Sequence, residues 1–184
     1  MSRTRRYRRC LNPSLPTVRR LALAAALHVV ALTHAGTAEA QPTTVPAGFS
    51  VVATFHAEGA QIYQCRSGAD GGLAWQFREP VATLLEGGRT VGRHYAGPSW
   101  ELSDGGTLVG RVAEQLSGAG ANAIPWLRLD ITERRGGGRL EQATAVLRIN
   151  TAGGVAEGAC STAGELRSVA YAADYVFLAP QARR

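Results

Sequence analysis

Leu127-Arg128-Leu129-Asp130-Ile131-Thr132 is the stretch on which the fold is read, because it is the cleanest alternation in the chain. Apolar residues fall at 127, 129 and 131 and polar ones between them, the period of two that defines a half-buried strand with one solvated face. Trp126 has the parity of Arg128 and Asp130, so it is expected on the polar face. Just beyond, Arg134-Arg135-Gly136-Gly137-Gly138-Arg139 reads as the turn of a long hairpin. Its return strand runs from Leu140 to Ile149, with Ala143, Ala145, Leu147 and Ile149 aligned.

Working outward, the same texture repeats: short runs rich in β-branched and aromatic residues, separated by glycine. Phe49 to His56 is one run and Ala60 to Cys65 another, with Ala57-Glu58-Gly59 as a hairpin link. Gln61, Tyr63 and Cys65 share a side there. Leu73 to Glu79 puts Trp75 and Phe77 on one face and is expected to end at Pro80, before a short segment from Val81 to Leu85. Arg89 to His94, Ser99 to Leu102 and Thr107 to Leu116 follow, punctuated by Gly97-Pro98 and Asp104-Gly105-Gly106. A glycine-rich loop from Asn150 to Gly164 precedes the last run, Val169 to Leu178, where Val169, Tyr171, Ala173, Tyr175 and Phe177 share a face.

No segment carries a sustained helical period with caps, and glycine is spread too evenly for long helices. The expectation is an all-β fold: a single antiparallel β-sandwich or closed barrel of about ten short strands, architectures that protect strand edges. The sequence predicts this β domain over residues 49–180, with an irregular lead-in over 41–48 and a C-terminal tail at 181–184.

The first forty residues are of another kind. Seven arginines between Arg3 and Arg20 precede an apolar run from Leu21 to Leu32, too short to span a bilayer comfortably, and Ala38-Glu39-Ala40 has the small-x-small form of a cleavage site. Residues 1–40 are therefore read as a secretory signal peptide, and the mature chain as extracytoplasmic, periplasmic or secreted. Arg5-Arg6 and Arg19-Arg20 leave the twin-arginine route open beside ordinary secretion.

Removing this leader changes the charge argument, because thirteen arginines and thirteen acids remain and the excess of +6 disappears. The nucleic-acid partner that a basic chain would suggest loses its support. No second long apolar run follows, so no transmembrane segment is expected in the mature chain. The leader also contains Cys10, leaving Cys65 and Cys160, which in an oxidising compartment are expected to pair; the alternative is two separately buried thiols. On the chain-entropy view a bridge across that separation removes unfolded-state freedom worth about 4–5 kcal/mol.

Potential chemistry concentrates in Val91 to Gly106. His94 with Glu101 and Asp104 could form an acid/base or metal cluster, if the turn at Gly97-Pro98 brings them together; otherwise His94 satisfies local backbone and Trp100 fills core. Tyr95, Trp100 and Trp126 are candidates for an aromatic ligand platform. No metal site is expected, since only His56 and His94 follow the leader and no His-x-His pair occurs. No cofactor is expected either: the chain lacks a phosphate loop and a dinucleotide fingerprint, and there is no Gly-x-Ser-x-Gly elbow.

Several blocks, in order, resemble a family of secreted bacterial and fungal proteins known as domain-of-unknown-function family 3455. They are Gln61-Ile62-Tyr63-Gln64-Cys65, Trp75-Gln76-Phe77, Gly92-Arg93-His94-Tyr95-Ala96-Gly97-Pro98-Ser99-Trp100-Glu101, Ala123-Ile124-Pro125-Trp126-Leu127, Arg148 to Gly154 with Cys160, and Tyr171 to Phe177. The chain departs from the family at Gly106, where serine is usual, and near Glu157, where proline is. The resemblance implies an exported single domain with both mature cysteines in family blocks, and it brings no established activity. The functions that follow as expectations are a non-catalytic binding or envelope protein recognising a small molecule, glycan or surface partner, or a secreted hydrolase-type enzyme using His94, Glu101 and Asp104, with a structural envelope or stress protein that takes no small ligand as a third.

Overall fold

The computed structural model of the chain describes residues 45–182, so the expected leader over 1–40 lies outside the described residues. Eight antiparallel strands follow one another around a closed barrel, and no helix occurs among the described residues. They are β1 (Phe49–Ser67), β2 (Leu73–Glu86), β3 (Arg89–Tyr95), β4 (Ser99–Leu102), β5 (Thr107–Leu116), β6 (Trp126–Arg135), β7 (Ala145–Gly153) and β8 (Leu166–Pro180). Each pairs with its neighbour in sequence, and β1 closes the ring on β8 from Phe49↔Pro180 to Gln64↔Leu166. Closure gives every strand two neighbours, but residues 73–81 of β2 and 111–116 of β5 reach beyond the short β3–β4 hairpin and are paired on one side only.

The expectation of about ten short strands is corrected to eight, several of them long, because two supposed breaks are continuous. Gly59 is not in a turn. A Cβ there would lie 2.1 Å from the Val81 carbonyl oxygen and 2.7 Å from the Ala82 Cβ, so this glycine allows β1 and β2 to approach, and β1 runs straight through it. Pro80 likewise sits inside β2. The register slips beside it, with Ile62 opposite Glu79 and Tyr63 opposite Phe77, so Arg78 is the extra residue of a bulge where a missing donor is tolerated.

A third correction concerns Leu140 to Thr144, expected as strand. This segment turns instead across one end of the barrel, with Leu140 and Ala143 buried in the core and β7 starting only at Ala145. The Arg139 guanidinium lies over the Phe55 ring, 4.7 Å from its centroid, and donates to Glu86 at 2.7 Å. That end is therefore closed.

Inside, Phe55, Leu84, Trp100, Leu108, Val146 and Phe177 pack into one core. Gly110 makes room for the indole, since a Cβ there would meet Trp100 Cζ3 at 2.9 Å. The row Ala145, Leu147 and Ile149 faces outward with Val176 and Leu178, forming a second apolar layer beneath Val45, Phe49, Leu116 and Trp126. Residues 145–149 of β7 and 175–179 of β8 are thus buried on both faces.

Cys65 and Cys160 form a disulfide, with Cα atoms 5.8 Å apart. It fastens the β7–β8 loop to the far end of β1, where Cys65 also exchanges backbone hydrogen bonds with Gly164 and Glu165.

Candidate functional site

The end opposite the Leu140 plug is open. Beyond the core the barrel holds a cavity of about 520 Å³, within the range of small-molecule sites. Its floor is His94, Trp100 and Tyr175, all buried. Leu127 and Leu129 from β6 make an apolar wall; Gln61 and Tyr63 from β1 and Arg148 from β7 bring the polar groups. Phe77 and Val112 stand at the mouth, each about half exposed (53% and 49%).

The floor is set by the β3–β4 hairpin. Its turn requires Gly97, whose φ is +134° and where a Cβ would strike Ser99 Oγ at 2.4 Å; that hydroxyl donates to the Ala96 carbonyl at 2.8 Å. The hairpin register places His94 opposite Trp100, so the imidazole stacks on the indole with centroids 5.0 Å apart and planes 16° from parallel. Tyr175 closes the other side, 4.8 Å from the imidazole centroid.

His94 Nδ1 lies 2.8 Å from the Ser99 carbonyl oxygen. A carbonyl can only accept, so Nδ1 carries the proton and Nε2 keeps its lone pair. Burial pushes the His94 pKa down to about 4; the Ser99 carbonyl works against this and the Arg148 charge adds to it. The ring is neutral at neutral pH. Desolvation also raises the Tyr171 and Tyr175 phenols above their ordinary values, and their hydroxyls lie 3.5 Å apart.

The expected site residues separate. Glu101, next to Trp100, points to the outside of β4, where it accepts from Arg93 Nη2 at 2.9 and 3.0 Å and from the Tyr95 hydroxyl at 3.1 Å. The Arg93 hydrogen bond holds its carboxyl below the usual range. Asp104 lies at the closed end, clipping two turns together through the backbone N–H groups of Gly106 (3.1 Å) and Arg139 (3.0 Å), of which the Arg139 bond does most to lower its pKa. His94, Glu101 and Asp104 therefore do not converge.

Of the aromatic candidates, Trp100 forms the cavity floor, while Tyr95 lies under the Arg93 guanidinium, 5.1 Å away, outside the barrel. Trp126 packs on the outer apolar layer. Among the described residues no group of three or more His, Cys, Asp or Glu side chains gathers to hold a metal ion.

Sequence reasoning missed Gln61 and Arg148 as cavity residues, while Tyr63 and Tyr175, which line the cavity, belong to the wider set of aromatics, with Trp75 and Tyr171, that could form a ligand platform. A signal existed for Gln61, which shares its parity with Cys65 and Tyr63 and is the polar member of an inward row. Arg148 shares the inward parity of Val146, but the reading of β7 followed the outward row instead.

Comparison with known proteins adds a family and nothing on activity. No curated protein and no solved structure matches the chain. A family model described as "Protein of unknown function (DUF3455)" matches residues 46–179, which takes in all eight strands but the last residue of β8. The chain belongs to that family.

Proposed function

We propose that this protein is an exported, non-catalytic binding domain that takes a small molecule into the open end of its barrel. The observation that carries the reading is the cavity of about 520 Å³ above the His94–Trp100–Tyr175 floor, with apolar walls and a few inward polar groups, the constitution of a ligand pocket. Export is supported by the arginine-rich and apolar character of residues 1–40 and by the Cys65–Cys160 disulfide, a bond that persists in oxidising compartments. No described helix is long and apolar enough to cross a membrane.

The acid/base alternative requires His94, Glu101 and Asp104 together, and their side chains are engaged inside, outside and at the closed end respectively. The test is equilibrium dialysis of the purified protein against a mixture of small metabolites, read by mass spectrometry. The control is Val112→Trp, a bulky residue at the mouth. Retention of compounds by the wild type and not by the variant supports the reading; equal retention by both, or none by either, refutes it.

A further inference from the structure

The polar groups of the cavity are unevenly matched. Gln61 is 2% exposed, and its Nε2 has no hydrogen-bond partner. An orphaned buried amide costs free energy that a bound acceptor would return. Arg148 lies on the inward row of β7, and Nε and Nη2 anchor it on the Pro125 carbonyl at 3.0 and 2.8 Å. Among the described residues no carboxylate pairs with it, whereas Arg93, Arg128, Arg135 and Arg139 each lie against one. Not one side chain lining the cavity is acidic, and the second arginine at its edge, Arg78, is already paired with Glu79 at 3.1 Å. The cavity thus holds an orphaned buried donor and an unbalanced positive charge, while the aromatic side chains of its floor suit a flat apolar body.

We propose that the cavity selects a flat, largely apolar organic monocarboxylate, its carboxylate directed to Arg148 and Gln61 and its ring system laid against the His94–Trp100 floor. This rests on the cavity being a ligand site and adds the chemical class of the ligand. A carboxylate supplies acceptor lone pairs and the missing charge at once. An ammonium group would face Arg148 with no counter-charge, and a neutral amide would gain the hydrogen bonds without the ion pair.

Three probes sharing one ring system separate these cases: 2-naphthoate, 2-naphthamide and 2-naphthylmethylamine, titrated calorimetrically into the purified protein. The expected result is that 2-naphthoate binds at least about tenfold more tightly than 2-naphthamide, as a charge-assisted contact implies, and that the amine does not bind. In Arg148→Met the advantage of the acid over the amide is lost while amide binding persists, which also shows that the variant is folded. Gln61→Leu weakens naphthoate binding without lowering the melting temperature, since the amide nitrogen it removes has no partner in the protein. An amide or amine that binds as well as the acid, or an acid preference that survives in Arg148→Met, overturns the monocarboxylate assignment and leaves the cavity as a ligand site. If none of the three probes binds, the monocarboxylate assignment is overturned, and the ligand-site reading stands or falls separately on the dialysis comparison of the wild type with Val112→Trp.

Discussion

The His94 imidazole donates through Nδ1 to the Ser99 carbonyl oxygen, 2.8 Å away, across a hairpin turn of its own strand pair. This bond fixes the tautomer of a ring that burial keeps neutral inside the barrel. Its pKa falls from 6.5 to about 4 on folding, so the unfolded chain binds the extra proton first. The histidine's contribution to stability is complete above pH 6.5 and is lost as pH falls toward 4. Urea titrations at pH 7 and pH 5 are expected to differ by about 2 kcal/mol from this group. In His94→Asn, which keeps a donor for Ser99, the difference over that range largely disappears. An unchanged pH dependence in the variant would show that the ring is not the group responsible.

The disulfide is predicted to matter for stability more than for shape. Replacing Cys65 and Cys160 together by serine frees a separation of 95 residues in the unfolded chain and is expected to cost about 2–5 kcal/mol. Chemical denaturation of the variant against the unreduced wild type measures it. A loss below 1 kcal/mol would contradict the chain-entropy argument.

Gly59 is predicted to be intolerant of any side chain. The atoms that a Cβ would meet include the backbone of β2, so the clash cannot be relieved by a rotamer change, and Gly59→Ala is expected to cost about 1–3 kcal/mol as overpacking. Gly87→Ala, at a turn where a Cβ meets nothing within 4 Å but φ is +54°, is expected to cost about 1–2 kcal/mol through backbone strain alone. The two separate in their effect on the cavity: Gly59→Ala shifts β1 against β2 and alters ligand retention, and Gly87→Ala leaves it unchanged.

Glu101→Gln removes an exposed ion pair with Arg93 and is expected to change stability by less than about 1 kcal/mol. Ligand retention is predicted to be unaffected, because the carboxylate lies outside the barrel. A variant that abolishes binding, or any turnover found in the wild type, would revive the acid/base reading of this residue.

The fold was legible where burial is one-sided. The alternation of Leu127 to Thr132 and of Val169 to Phe177 maps directly onto inward and outward rows, and β5 runs over the residues expected of it, Thr107 to Leu116. Reading failed where a turn-forming residue serves a strand. Gly59 and Pro80 look like punctuation, yet one admits a neighbouring backbone and the other pairs with Gln61 two residues beyond a bulge, and neither role leaves a local trace. Reading also failed where a strand is buried on both faces, because the outward row Ala145, Leu147 and Ile149 is as apolar as an inward one and conceals Arg148 on the opposite side. The candidate site was half visible for the same reason. His94, Trp100 and Tyr175 stood out by type, whereas Gln61 and Arg148 belong to it only through register across strands far apart in sequence.

The pairing of β1 with β8 has a consequence for how the molecule is made. The seam joins the earliest strand to the latest, so in an emerging chain the first strand can zip to β2 at once on one side, while its other side has no partner until all the other strands have passed. Until then the β8-facing side of β1, from Phe49 to Gln64, is an open hydrogen-bonding edge, the kind of edge that recruits other chains. Folding is therefore expected to be slow and all-or-none, as non-local topologies are. A fragment ending before Leu166 should aggregate rather than persist as a smaller ring.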